Sequence, residues 1–337
     1  MRSIVYTATG PSSVLTLVER DIPEPGPGEV RVIVSGVNPT DWKRRAAVTA
    51  SADLTEAIVP NQDGAGVVDA VGEGVTTLAL GDRVWLYLAQ HESANGTAQE
   101  YTIVAAPKAV RLPDAASFDV GASLGVPAMT AHRALTVHED GPTRLEPGAL
   151  AGRAVLVTGG AGAVGHAAIQ LASWAGATVI TTISSPEKAA LARAAGAHHA
   201  IDYTSGDPAA SIRSLAPDGV DVVVDVDIIR NVGLIEKVLA PRGSVAIYAN
   251  SGDAATIPLR AFMGLNARLQ YVLLYTVGDA ALTAAAEDIT AAAAAGALEV
   301  GEEHGLPISR YPLADTAAAH DAVEGGTLGK VLIDVSA

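Results

Sequence analysis

The chain of 337 residues contains no cysteine. No disulfide can brace it, and no thiolate can ligate a metal or act as a nucleophile. Aromatic residues make up only 4%, which leaves no evident stacking platform for a large planar ligand. Positive charge is also short. Lys and Arg number 22 against 37 Asp and Glu, a formal net charge of −15, and this excludes nucleic acid and anionic membrane surfaces as expected partners. There is no apolar run of membrane-spanning length and no charged-then-apolar leader, so a soluble, cytoplasmic protein is expected. Apolar residues, at 49%, are plentiful, and the length suggests two domains.

The most specific signal is Ala154-Val155-Leu156-Val157-Thr158 running into Gly159-Gly160-Ala161-Gly162-Ala163-Val164-Gly165. A β-prone run precedes the glycines, a helical pattern through Ala172 follows, and a second strand is expected at Ala177–Ile183. Gly160, Gly162 and Gly165 satisfy G-x-G-x-x-G in the context of a dinucleotide site. There, backbone N–H groups at a helix N-terminus receive a pyrophosphate, with Ala161, Ala163 and Val164 supplying the backbone between the glycines. A tight αβ turn without a ligand needs fewer glycines.

An NAD site usually ends its second strand on Asp or Glu. Here the tip reads Ser184-Ser185-Pro186-Glu187-Lys188. Hydroxyls and a lysine suit a 2′-phosphate, so NADPH is expected, with Ser184 and Lys188 as contacts. Ser185 and Pro186 also make a sound helix start. Glu187 leaves NAD as the alternative.

Residues 1–110 read as β-rich, with strands at Arg2–Tyr6, Val30–Ser35, Ala65–Val71, Arg83–Leu88 and Glu100–Val104. From about Pro127 strands and helices alternate. Further strands are expected at Ala200–Tyr203, Val220–Asp225, Ser244–Tyr248 and Arg268–Tyr275, with helices at Glu187–Ala195, Ala209–Leu215, Val232–Leu239 and Thr283–Ala297. Right-handed crossovers of this length build a doubly wound parallel sheet. The last strand of that sheet is long and apolar, a sticky edge whose remedy is a homodimer. A final strand, Gly329–Val335, is expected to return to the β domain.

An ordered set of segments resembles the medium-chain dehydrogenase/reductase superfamily over nearly the whole chain, in its zinc-free quinone oxidoreductase, zeta-crystallin-like branch. The segments are Gly36-Val37-Asn38-Pro39-Thr40-Asp41, Asp63-Gly64-Ala65-Gly66-Val67-Val68, Val71-Gly72-Glu73-Gly74-Val75, Gly81-Asp82-Arg83-Val84, Gly96-Thr97-Ala98-Gln99-Glu100-Tyr101, Thr130-Ala131, the glycine loop and Gly329-Lys330-Val331. The resemblance implies an α/β fold. A GroES-like β-barrel domain takes 1–126, completed by 276–337, and a Rossmann domain takes 127–275. Where zinc-dependent relatives carry Cys and His ligands, this chain has Asn38 and Gln62, and the segment between Leu86 and Gly96 is too short for a four-cysteine lobe. No metal is expected.

The implied activity is hydride transfer from NADPH to a small-molecule acceptor, a quinone or an α,β-unsaturated carbonyl. The alternatives are an enoyl-thioester or secondary-metabolite tailoring reductase and a non-catalytic NADPH-binding sensor. Asn38, Asp41 and Lys43 are the catalytic candidates: Asn38 and Asp41 match the family's N-x-x-D at the domain cleft, where Asp41 is alternatively a loop brace, and Lys43 stands where many quinone oxidoreductases have tyrosine. It is either a donor to the acceptor or a residue snorkelling at the rim. Thr130, Tyr203, Tyr248, Ala249 and Asn250 match cofactor-contacting positions. Trp42, Trp85 and Trp174 read as packing residues, Arg44-Arg45 as a solvated pair, His198-His199 as part of a loop, and Asp225 and Asp227 as loop braces.

Overall fold

The computed structural model describes residues 1–32, 35–47 and 54–335. Its contacts divide the chain into one unit of Met1–Val126 with Pro307–Ala337, and a second of Pro127–Leu306.

The first unit is built from short strands: β1 (Arg2–Val5), β2 (Thr16–Glu19), β3 (Glu29–Val32), β4 (Ser35–Val37), β5 (Gly64–Val71), β6 (Arg83–Leu86), β7 (Thr102–Ala105) and β8 (Ala109–Arg111). Of the expected strand Val30–Ser35, residues 33 and 34 lie outside the described residues. A five-stranded antiparallel sheet has the order β7-β3-β5-β6-β8. Helix α1 (Pro39–Arg45) follows β4, and α2 (Phe118–Leu135) begins in this unit. Helix α2 breaks helical geometry at Gly125 just before Pro127, because proline removes a helical hydrogen bond and clashes with the preceding turn.

The second unit alternates β9 (Ala154–Thr158), α3 (Ala163–Trp174), β10 (Thr178–Ile183), α4 (Pro186–Ala194), β11 (His199–Asp202), α5 (Pro208–Leu215), β12 (Val220–Asp225), α6 (Ile228–Val238), β13 (Leu239–Ile247), α7 (Leu259–Leu265), β14 (Arg268–Tyr271) and α8 (Asp279–Ala294). Every pairing is parallel, in the order β11-β10-β9-β12-β13-β14. This is the doubly wound arrangement, whose ligands sit at the carboxyl ends of the strands where the order reverses, here between β9 and β12. The central strands are Val-rich and buried on both faces, and Val155, Leu156, Val157, Val222, Val223 and Val224 are all inaccessible, as parallel sheets require.

The chain then returns to the first unit with β15 (Ile308–Pro312), α9 (Thr316–Glu324) and β16 (Lys330–Asp334). Strand β16 pairs antiparallel with β4, with Val331 opposite Val37 and Leu332 opposite Gly36.

Three sequence expectations change. Residues 276–306 belong to the second unit, because Ala292 and Ile289 of α8 are buried there and Gln170 of α3 donates to the Glu299 carbonyl at 3.0 Å. The last parallel strand stops at Tyr271 and gives way to a 3₁₀ turn at Leu274–Thr276, so its apolar residues overstated its length. His199 opens β11, paired with Ile180, while His198 Nδ1 accepts the Val179 N–H at 3.0 Å.

Because β16 completes the core of the first unit, Ile333 (1% exposed) is packed with Ile4, Val37 and Val59. Ile333→Ala should lower the unfolding free energy by about 2–5 kcal/mol, read from chemical denaturation. A loss below about 1 kcal/mol, the range of surface substitutions, would show the returning strand to be dispensable.

Candidate active site

In the second unit the glycines divide their labour. Gly159 has φ +69°, which a side chain adopts only with strain. A Cβ on Gly160 would stand 2.2 Å from Thr181 Oγ1, and one on Gly165 would stand 2.4 Å from the Gly159 carbonyl. These two residues are small because β10 and the turn press on them. Gly162 differs, since its Cβ would meet nothing closer than Gly159 O at 3.5 Å and its φ is an ordinary −87°. Nothing in the protein demands glycine there, and it faces the start of α3. That helix has no side-chain cap and no acidic residue in its first turn, so its first N–H groups and the positive end of its dipole are free for an anion. The residues therefore fit a dinucleotide pyrophosphate.

Beyond β10, Ser185 caps α4 by accepting the Lys188 N–H at 3.2 Å, and Pro186 takes the first helical position. The cap leaves Ser184 free for Lys188, whose Nζ donates to Ser184 Oγ at 3.0 Å. Tyr203 follows β11, its N–H donating to the Ile183 carbonyl at 3.1 Å, and its ring is 53% exposed. The structure thus gathers Ser184, Lys188 and Tyr203 at the ends of β10 and β11, with Glu187 exposed beside them.

Thr130 is buried in α2. Two residues on, His132 Nε2 lies 2.8 Å from Asp288 Oδ2, and Asp288 also accepts from Arg144 at 2.6 Å and from Leu145 N at 2.7 Å. Burial raises the Asp288 carboxyl, but these donors outweigh it and hold it down at about 2. Tyr248, Ala249 and Asn250 follow β13 and line a depression of about 400 Å³ together with Ile229, Tyr271 and Leu273. Burial, then the Asp225 charge, raises the Tyr248 hydroxyl, so it stays protonated. Asp225 braces the loop by accepting from Thr158 Oγ1 at 2.9 Å and Asn231 Nδ2 at 2.7 Å.

The first unit holds a polar cluster with almost no access to water. The β4–β16 register puts Lys330 opposite Asn38. Lys330 Nζ donates to Asn38 Oδ1 at 2.7 Å, and Asn38 Nδ2 donates to Asp63 Oδ2 at 2.6 Å. Lys330 Nζ lies 3.6 Å from the same carboxylate. The other oxygen of Asp63 accepts the Val126 N–H at the break in α2, at 2.9 Å. Asp41 Oδ2 accepts the Asn38 N–H at 2.7 Å and so closes the first turn of α1. Burial, and then the neighbouring Asp63, pushes Asp41 up to about 8, while burial lowers Lys330. Asn38 and Asp41 are thus internal fasteners that fix α1, and Lys43 one turn along is half-buried with its Nζ 5.9 Å from the Trp42 ring centre.

Asp63 and Lys330 escaped the sequence reading as site residues. Both stand in segments that carry the resemblance, but their pairing is not readable until β16 is placed against β4. Arg45 is a correction: it is 1% exposed and bonded to Glu324 at 2.8 Å, not solvated. Trp85 is fully buried, as expected for packing. Gln62 exchanges bonds with Gln90, Gln90 N to Gln62 Oε1 at 3.1 Å and Gln62 Nε2 to Gln90 Oε1 at 3.3 Å. Among the described residues, no group of three or more His, Cys, Asp or Glu is placed to hold a metal.

Two protein families match, the "Alcohol dehydrogenase GroES-like domain" over residues 24–114 and the "Zinc-binding dehydrogenase" family over 163–295. A quinone oxidoreductase of Rattus norvegicus is 30% identical over 99% of this chain and 97% of its own length. The chain belongs to the medium-chain dehydrogenase/reductase superfamily. Within that superfamily it falls in the quinone oxidoreductase, zeta-crystallin-like branch. A 2-haloacrylate reductase from a Burkholderia species is also 30% identical, over 99% of this chain and 98% of its own. A mycobacterial structure solved with NADPH superposes with a TM-score of 0.80 at 30% identity, covering 99% of each chain.

A carboxyl raised from 3.8 to about 8 binds a proton in the folded state that the unfolded chain releases, so stability falls as pH rises between those values. A single proton gives a slope of at most about 1.4 kcal/mol per pH unit. Asp41→Asn keeps an acceptor for the Asn38 N–H and removes the titration. Its melting temperature should fall less than that of the parent between pH 5 and 9, and identical profiles would exclude Asp41 as the source.

Proposed function

We propose that the protein is a zinc-independent oxidoreductase that passes hydride from NADPH to a quinone or an α,β-unsaturated carbonyl. The observation that carries this reading is the open face at Gly162 before an uncapped helix, joined to the donor pair Ser184 and Lys188 at the tip of β10. NADPH, when bound, supplies the hydride. Gly160, Ala161, Gly162, Ala163 and Val164 would offer backbone N–H groups to its pyrophosphate. Ser184 and Lys188 would hold the 2′-phosphate, with Tyr203 beside them. Thr130, Tyr248, Ala249 and Asn250 would position the nicotinamide end.

In the first unit, Asn38 and Asp41 hold α1 in place, and Lys43 donates a hydrogen bond to the acceptor oxygen as negative charge develops there. The positions that resemble zinc ligands are the amides Asn38 and Gln62, already engaged with Lys330, Asp63 and Gln90. An ammonium group sits within that network, which opposes a second cation. The name of the Burkholderia relative widens the acceptor class to haloacrylates. A thioester or carrier-bound substrate is disfavoured, because burial of Arg45 removes half of the basic pair such a phosphate would need.

The same reading includes a cytoplasmic homodimer. No helix among the described residues is long and apolar enough to cross a membrane. Tyr271 and Leu273 at the β14 edge, with Leu259 and Met263 of α7, are large apolar groups left 57–76% exposed, which supports self-association. Tyr271→Lys with Met263→Glu should shift the mass in solution toward the monomer by light scattering, and a parent already monomeric would remove the dimer from the proposal.

Turnover is tested by following NADPH absorbance with a para-quinone and with an alkenal, NADH serving as control. Gly162→Ala should weaken NADPH binding at least about tenfold, since a methyl displaces the phosphate from the N–H groups, with melting unchanged. Lys188→Ala should narrow the preference for NADPH over NADH. Lys43→Met should lower kcat and leave NADPH affinity intact. NADPH binding without turnover of any acceptor would make the protein a sensor.

A further inference from the structure

Helix α1 ends in Lys43-Arg44-Arg45, and the two arginines differ in kind. Arg45 spends its charge on Glu324 at 2.8 Å. Arg44 is half-buried, has no carboxylate partner among the described residues, and reaches the Gln90 carbonyl only at a long 3.4 Å. The Gln90 side chain is 1% exposed. Its Oε1 faces Gln62 Nε2, which turns its own Nε2 the other way, and that Nε2 has no hydrogen-bond partner. The hydroxyl of Tyr6, 3% exposed, lies beside both the Gln90 amide and the Arg44 guanidinium. Burial raises the Tyr6 hydroxyl, so it remains a donor.

Three donors, a guanidinium, a primary amide and a phenol O–H, thus meet around one side-chain acceptor, the phenol oxygen, so donors outnumber acceptors. The nearby carboxyl that could oppose an anion is Asp41, which burial keeps neutral at pH 7. The backbone around the cluster is unusual as well. Of the six non-glycine residues with left-handed φ among the described residues, Leu88 and Glu92 bracket Gln90, Asn61 precedes Gln62, and Ala47 follows α1. Such conformations persist where the surroundings enforce them and gather at ligand sites.

We propose that Arg44, Gln90 and Tyr6 bind the carboxylate of a small α,β-unsaturated acid, so that the acceptors this enzyme favours are acrylate-type acids. A planar carboxylate takes paired N–H donors from a guanidinium and a third from the amide or phenol. One cation with two neutral donors matches a single negative charge, whereas a phosphate dianion would leave charge uncompensated. The acceptor class rests on the reductase reading, while the carboxylate site can be tested without it.

The experiment compares crotonate with methyl crotonate on the full-length protein, by turnover with NADPH and by titration calorimetry. The acid should be preferred at least about tenfold in kcat/KM, the scale of a charged hydrogen bond, and Arg44→Met should abolish that preference. Tyr6→Phe, which removes only a hydroxyl, should reduce the preference more mildly and serves as the test if Arg44→Met does not fold. Equal use of acid and ester, or a preference that survives both variants, overturns the site. Reduction of a para-quinone without any crotonate binding overturns the site and leaves the reductase standing. Arg44-dependent crotonate binding with no acceptor reduced upholds the site and overturns the reductase.

Discussion

A charged amine with no access to water has to be answered by the residues around it, and Lys330 is answered by Asn38 and Asp63. Desolvating a charge is costly unless partners and geometry compensate. Each member of this cluster therefore fixes the next. Lys330 orients the Asn38 amide, the amide orients Asp63, and Asp63 receives the N–H left free where α2 breaks. The Asn38 backbone in turn is tied to Asp41, which sets the first turn of α1 and hence the directions of Lys43 and Arg44. Helix α1 and the strands around it are therefore built outward from a buried ionic centre.

The second unit uses the opposite strategy. Its turn after β9 presents unpaired backbone donors and an open space at Gly162, while its side chains are spent on holding elements together. His166 in α3 is one example. Its Nε2–H donates to the His304 carbonyl at 2.8 Å, and burial lowers it to about 4, so it stays neutral and adds no charge beside the expected phosphates. The second unit thus offers fixed dipoles where the first encloses ionisable groups.

Much of this was readable beforehand. The parallel sheet followed from alternating runs such as Val220–Asp225, which the structure reproduces residue for residue. The cap at Ser185 followed from Ser-Pro before a helical pattern. What could not be read depended on contacts across long separations. Arg45 looks solvated beside Arg44 until α9 brings Glu324 to it, and Lys330 shows no partner until β16 is placed against β4. Local periodicity also overran the true end of β14, because Val272, whose N–H still donates to the Ile247 carbonyl of β13 at 2.8 Å, and Leu274 stay buried beyond the last paired residue. Gly162 and Gly165 are indistinguishable in a motif, and only the space around each separates a glycine that serves the ligand from one that serves the fold.

The pairing of β16 with β4 closes a loop across 292 positions, from Asn38 to Lys330. Long loops delay the contacts that close them. As the polypeptide leaves the ribosome, the interrupted first unit must wait with its ionic centre unmatched, while the inserted α/β unit already has all its strands and can mature. Asn38 and Asp63 stay wet until β16 arrives, so the first unit closes its core only after the whole inserted unit has been made, and the order of synthesis makes the α/β half the older partner in every newly made molecule.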